Sequence, residues 1–241
     1  MLCKIEEERF AKLRDMCREL KMPPPVELFY TLKVRDQKGV LVFDDKARGH
    51  SWVRNYWHLA AGSLMELSGD GTTASFGAGI RNTKDTAGIL TSGAGYCSVR
   101  GQGSLQLGYG MHNNTTTNTY GIVVGSGSTA FTVNDFALQT IIASGATAGT
   151  LAYQPMIASL ASYDAGTKTW TNVISRVFNN NSGGTVNIGE IGIISACGIF
   201  ESTDTSPRML ERSVLGAAVS ILNGVQLTVS YTLSMDFSAI D

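Results

Sequence analysis

The chain has 241 residues, 43% of them hydrophobic and 16% charged, with a formal net charge of −1. That length holds one large domain with its own core, or one domain and a small appendage, and the apolar fraction excludes a chain disordered throughout. The near-neutral balance leaves no broad basic field for nucleic acid or an anionic membrane, and no apolar run reaches the ~18 residues of a spanning helix.

The first residues, MLCKIEEERF, are charged where a secretion signal needs an apolar centre, so an intracellular origin is expected. Charge is unevenly spread: residues 1–54 carry 12 Lys/Arg and 9 Asp/Glu, and residues 55–241 carry 7 and 11. This shift divides the chain into an N-terminal amphipathic helix with a proline linker, 1–25, and a β domain, 26–241. Within the latter, 26–68 reads as a hairpin plus an aromatic-rich segment and 69–241 as the main sandwich. The helix is expected over about residues 4–21. Phe10, Leu13, Met16, Cys17 and Leu20 recur at three- and four-residue steps and form one apolar stripe. Glu6, Glu7 and Glu8 in its first turn, and Arg18 and Lys21 in its last, suit the helix dipole. Pro23, Pro24 and Pro25 end it and make it a stiffly tethered arm. Its stripe either packs back on its own domain or docks on a neighbouring protein. The second reading is favoured, so Phe10, Leu13, Met16 and Leu20 are candidate docking residues.

The stretch VELFYTLKVRDQKGVLVFDD reads as a β-hairpin, with Leu28, Tyr30, Leu32 and Val34 alternating and Asp36-Gln37-Lys38-Gly39 as the turn. SWVRNYWHLAAGSLMEL suits a helix, and Trp52, Tyr56 and Trp57 form a dense apolar anchor, a second candidate docking group. From about residue 70 the signal is β. KTWTNVISRVF, GTVNIGEIGIISACGIF and GTLAYQPMIAS read as strands, and NNNSGG at 179–184 tolerates left-handed backbone. Leu227, Val229, Tyr231, Leu233, Met235 and Phe237 alternate with polar residues, giving one buried face and one Ser/Thr face. Asn223-Gly224, between this run and SVLGAAVSIL, predicts a hairpin with a type I′ turn. Many strands without alternating helices imply a mainly β protein, an antiparallel β-sandwich or jelly-roll-like domain with an N-terminal helical arm.

YGIVVGSGSTAFTV carries Gly125, Gly127 and Ala130 in the G-x-G-x-x-A spacing of dinucleotide-binding domains. Phe131-Thr132-Val133 is a poor helix start, and ASGATAGTL, about 20 residues on, has no carboxylate. The glycines therefore read as a turn between strands, and no Gly-Lys-Ser/Thr follows to make a P-loop. His50, His58 and His112 fall in no H-E-x-x-H pattern, and no G-x-S-x-G elbow is present. Asp135, Asp164, Glu190 and Glu201 supply carboxylates for a glycosidase pair, but nothing in the sequence sets their separation. Cys3, Cys17, Cys97 and Cys197 match no zinc spacing and read as free thiols. SGDGTT at 68–73 reads as a turn, and HNNTTTNTY as a polar loop tip. No catalytic residue, cofactor or metal ligand is expected.

YGIVVGSGSTAFTVNDFALQTII, GTLAYQ, AGTKTWTNVISRVFNNNSGGTVNIGEIGI and RMLERSVLGAAVSILNGVQLTVSYTLSM together resemble a widespread group of tailed-bacteriophage virion proteins. HSWVRNYWHL and SFGAGIRNTKDTAGI are similar to the same group, so the resemblance spans roughly residues 26–237. It implies a non-enzymatic structural part of a phage particle, assembled in the host cytoplasm and located in the virion. Capsid decoration or a neck or tail attachment role is favoured over a tail tube. The implied partners are other virion proteins and further copies of the chain, without nucleic acid or membrane. A receptor- or carbohydrate-binding tail module, using polar loops such as 110–119, is the alternative.

Overall fold

The computed structural model describes residues 4–20, 26–49, 52–56, 83–91, 116–196 and 206–238. Among the described residues the named elements are one helix, α1 (Lys4–Glu19), followed by twelve strands. These are β1 (Glu27–Arg35), β2 (Leu41–Arg48), β3 (Thr83–Lys84), β4 (Leu90–Thr91), β5 (Gly121–Gly125), β6 (Ala152–Tyr153), β7 (Ile157–Ala158), β8 (Ser162–Asp164), β9 (Thr169–Asn179), β10 (Val186–Ala196), β11 (Pro207–Ile221) and β12 (Gln226–Asp236). The protein is mainly β, and the paired strands are antiparallel. A first sheet runs β2-β1-β12-β9-β6, with β7 and β8 also on β9; a second runs β11-β10-β5; β3 and β4 pair separately.

The alternation expected in β1 and β12 sets the core of the first sheet. Leu28, Tyr30, Leu32 and Val34 stand opposite Leu233, Tyr231, Val229 and Leu227, and all eight are buried. Ile174 and Phe178 of β9 extend the same layer, while Met235 and Phe237 stay half-buried beyond it. The second sheet differs. Gly121–Gly125 is buried at every position, and Ile188 to Ser195 is buried without alternation. Such continuous burial requires cover on both faces. The first sheet covers one face, and the segment 126–142 covers the other. Both sheets contribute to one hydrophobic cluster, so the domain is a two-layer sandwich.

The Asn-Gly hairpin expected between β11 and β12 is not formed. β11 pairs with β10 in the second sheet, whereas β12 lies between β1 and β9 in the first. The turn is closed by Val225 N–H on the Leu222 carbonyl, and only Gly224 has positive φ, at 78°. That is the need of a type II turn, not type I′, and its twist splays the flanking strands instead of continuing their ladder. The turn is a corner between layers. NNNSGG, between β9 and β10, makes a second corner at the same end. Asn180 joins the two, donating to the Gly184 and Ile221 carbonyls at 2.8 and 2.7 Å, while its own carbonyl accepts from Gly224 N–H.

The β1–β2 hairpin forms as expected, with Gly39 at φ 79° and the Asp36 carboxylate accepting from Lys38 and Val40 N–H. Pairing then slips by one residue: Val34 faces Phe43 and Arg35 faces Leu41, leaving Val42 as an extra residue. A cleft of about 790 Å³ opens between this edge and the distal half of β11, lined among others by Val42, Phe43, Ala217 and Val219.

Core and surface leucines should separate cleanly. Leu32→Ala removes a buried side chain and should cost about 2–5 kcal/mol, whereas Leu160→Ala, 90% exposed, should change stability by less than about 0.5 kcal/mol. Urea midpoints of the two variants against the parent check this.

Candidate functional site

The glycine motif of the sequence turns out to hold an anion, but one of its own chain. Gly125 pairs with Glu190 across β5 and β10. The chain then leaves β5, loops out, and returns so that Ser126 N–H donates to the Thr140 carbonyl and Ile142 N–H to that of Val124. The Glu190 carboxylate is fully buried at the neck of this loop. It accepts from the amides of Gly127 at 3.2 Å, Gln139 at 3.1 Å and Thr140 at 2.8 Å, and from Arg212 Nε at 2.7 Å. The Gln139 side chain accepts from the next two amides, Ser128 and Thr129, both at 2.9 Å. The successive N–H groups that would cradle a phosphate are thus satisfied internally, as a backbone nest around a carboxylate.

This close approach is why the two positions are glycine. A Cβ on Gly125 would lie 2.6 Å from the Glu190 carboxylate, and one on Gly127 would lie 2.6 Å from the Gln139 Cβ. The expected tight turn between two strands is therefore corrected: residues 126–132 form no turn, and the chain beyond them pairs back on β5 without a regular strand.

Arg212 carries the network outward. Its guanidinium also meets Asp135 at 2.7 Å and the Thr129 carbonyl at 3.0 Å. Burial alone would lower its pKa, and the bonds to Asp135 and Glu190 more than offset this and hold it above the ordinary value. Asp135 and Glu190, two of the four carboxylates singled out by sequence, are thus brought together around one cation. Asp164 lies apart at the surface, accepting from Gly166 N–H, and Glu201 lies outside the described residues.

The adjacent residue points into the other layer. Glu211 is fully buried and accepts from Tyr231 Oη at 2.5 Å and from Ser213 Oγ. Its hydrogen-bond partners are hydroxyls, and burial pushes its carboxyl up to about 8 against the weaker opposing effects of those bonds and of Arg212. Tyr231 is in turn held well above its ordinary value by burial and by Glu211. Arg176 of β9 is another buried charged side chain. Its guanidinium donates to the carbonyls of Thr117, Tyr120, Ile122 and Gln154 and stacks on the Tyr153 ring, 4.8 Å from its centroid. Sequence reading missed Arg176, Glu211 and Arg212. A signal existed: Arg176 sits at a period-two position between Ile174 and Phe178, where an inward side chain is required.

The candidate docking residues divide. Helix α1 lies against the outer face of the first sheet, and Phe10 is part of the attachment. The Arg48 guanidinium stands 4.1 Å from the Phe10 ring centroid and 4.7 Å from that of Phe29, and it pairs with Glu27 at 2.8 Å. Arg14 reaches the second Glu27 oxygen at 3.2 Å. Phe10, Arg14 and Cys17 thus form the half-buried side of the helix. Leu13, Met16 and Leu20 remain 42%, 55% and 64% exposed. Trp52 and Tyr56 stack at 3.8 Å between centroids and pack on the core, with the Trp52 backbone bridged to Glu211. The helix expected there is described only at 54–56. Trp57 lies outside the described residues, as do His50, His58, His112, Cys3, Cys97 and Cys197. Among the described residues no group of three His, Cys, Asp or Glu is placed to hold a metal ion, and no helix is long and apolar enough to cross a membrane.

No protein-family model matches the chain, and no curated protein or solved structure matches it.

Two outcomes test the buried groups. Gly127→Ala should destabilise by about 1–3 kcal/mol through displacement of Gln139 or Glu190, whereas Gly184→Ala, with open space at its Cβ, should not; thermal melts of the pair decide it. Glu211 titrates higher in the fold than in the unfolded chain, so the stability it contributes is complete below about pH 4.5 and is lost as pH rises through about 8. The stability difference between the parent and Glu211→Gln should therefore shrink across that window and level off above it. A difference independent of pH in denaturation series would show that Glu211 stays ionised.

Proposed function

We propose that the chain is a structural subunit of a tailed-bacteriophage particle, assembling in copies and attaching to capsid, neck or tail. The observation that carries this reading is the α1 surface. One side of the helix is held on its own sheet by Phe10 and Arg14, and the other presents Leu13, Met16 and Leu20 to solvent as a row. Such a row, fixed on a rigid sandwich, suits packing against a neighbouring protein. The internal use of the glycine motif and of the Asp135–Glu190 pair supports an assembly role over a chemical one. The resemblance of its strand-and-turn phrases to tailed-bacteriophage virion proteins points the same way.

The test is incorporation. Leu13→Asp, Met16→Asp and Leu20→Asp combined should leave the thermal unfolding of the sandwich cooperative. They should lower the protein's abundance in purified particles, read by mass spectrometry, by more than about tenfold, since losing burial of even one such side chain is worth ~1.5 kcal/mol. Undiminished incorporation would remove α1 as the attachment surface, and particles lacking the parent protein altogether would remove the virion reading.

A further inference from the structure

Buried polar side chains join the two layers at two places, and pH acts on them differently. Where β9 and β6 face β5, Arg176 donates to the carbonyls of Tyr120 and Ile122, and Val124 N–H donates to the Tyr153 hydroxyl at 3.3 Å. Burial lowers the Arg176 guanidinium only to about 10, so this joint keeps its charge through neutral and mildly alkaline solution. Where β12 faces β11, the joint is Tyr231 Oη donating to Glu211 at 2.5 Å.

Among the described residues no cation bonds to Glu211. Tyr231 meets it from β12, with the Tyr30 ring of β1 packed edge-on against Tyr231, 6.4 Å between centroids. Ser213 meets it from its own strand, Ile193 stands opposite on β10, and the Trp52 backbone bridges to it from the outer edge. Arg212 acts on it only through space, because its guanidinium is bonded to Glu190, Asp135 and the Thr129 carbonyl. Ionised, Glu211 is a buried charge held by two hydroxyls, a state that burial disfavours strongly. The cleft lies on this same side of the sandwich. Tyr30, which packs on Tyr231, lines it, as do Val214 and Leu215, which follow Ser213.

We infer that ionisation of Glu211 parts the two layers at the cleft, with β11 swinging away from β12 and β1 while the Arg176 joint holds. The sandwich is thus a hinge whose closed form keeps a proton on Glu211 and whose open form hydrates the anion. The sign follows from the two protonation equilibria. The closed form holds its proton to about 8 and the open form releases it at the ordinary 4.5, so rising pH favours opening. The open population grows about tenfold per pH unit between those values and levels off above them. The hinge is a property of the purified chain and does not depend on the virion reading.

Hydroxyl-radical footprinting of the full chain between about pH 6 and 9, read residue by residue in a mass spectrometer, tests it. In the parent, oxidation of Tyr30, Leu32 and Tyr231 should rise about tenfold per pH unit and level off near pH 8, while Tyr153, Met156 and Phe178 at the Arg176 joint stay protected. E211Q keeps the shape without an ionisable group and should be flat over the same range. Y231F removes one donor to the anion, so its levelling-off should move to higher pH; this variant carries the test should E211Q fail to fold. Oxidation independent of pH in the parent, an equal rise in E211Q, an unmoved levelling point in Y231F, or a rise shared by Tyr153 and Phe178, as in global unfolding, would each overturn the hinge.

Discussion

A carboxylate that is wholly removed from water governs the second sheet. An ionised Glu190 without partners would be prohibitively unfavourable in that position, so everything around it is arranged to satisfy four hydrogen bonds. Arg212 must turn inward, the loop after β5 must come back at Gln139 and Thr140, and two residues of β5 and its extension must lack a Cβ. The loop so closed is what covers the outer face of β5, β10 and β11. A three-stranded sheet with one face in water would not tolerate the unbroken burial of β10 from Ile188 to Ser195.

Successive residues of one strand serve different layers. On β11, Arg212 faces the covering loop and Glu211 faces the first sheet, where Tyr231 donates to it, as does Ser213 of its own strand. The two carboxylates are treated differently for that reason. Glu190 shares its environment with a guanidinium and backbone dipoles, and it anchors a loop. Glu211 has hydroxyls only, and its carboxyl is pushed toward neutrality while it joins the two layers near their centre. Arg176 does a similar task from the opposite sheet, gathering four carbonyls of segments that form little regular ladder of their own.

The ends of the sandwich are closed by short polar stitches, and the outer surface is left uneven. Asn180 ties two interlayer corners, and Gln37 of the β1–β2 turn reaches the Asn223 carbonyl beside them at 3.3 Å. Helix α1 rests on the outer face through a cation held between two rings, a contact of modest area that leaves half its apolar stripe uncovered. Leu13, Met16 and Leu20 of that stripe, and Val40 to Phe43 at the β2 edge, are among the exposed large apolar side chains of the described residues.

Much of this was legible along the chain. Period-two alternation located β1 and β12 and their inward faces, β9 read as a strand without a face assigned, period-three-and-four spacing located α1, and Asp36 to Gly39 located the β1–β2 turn. Those features are local, decided by which face of a strand or helix meets water. The tertiary structure alone decided where each strand would go. Asn223-Gly224 reads as a hairpin in sequence, but whether the following strand pairs with its predecessor or crosses to the other layer depends on β1 and β9 competing for β12. The same holds for Gly125 and Gly127. Their spacing announces that something must approach the backbone closely, and only the fold, by bringing Glu190 in from more than sixty residues away, determines that the approaching group is the chain's own carboxylate.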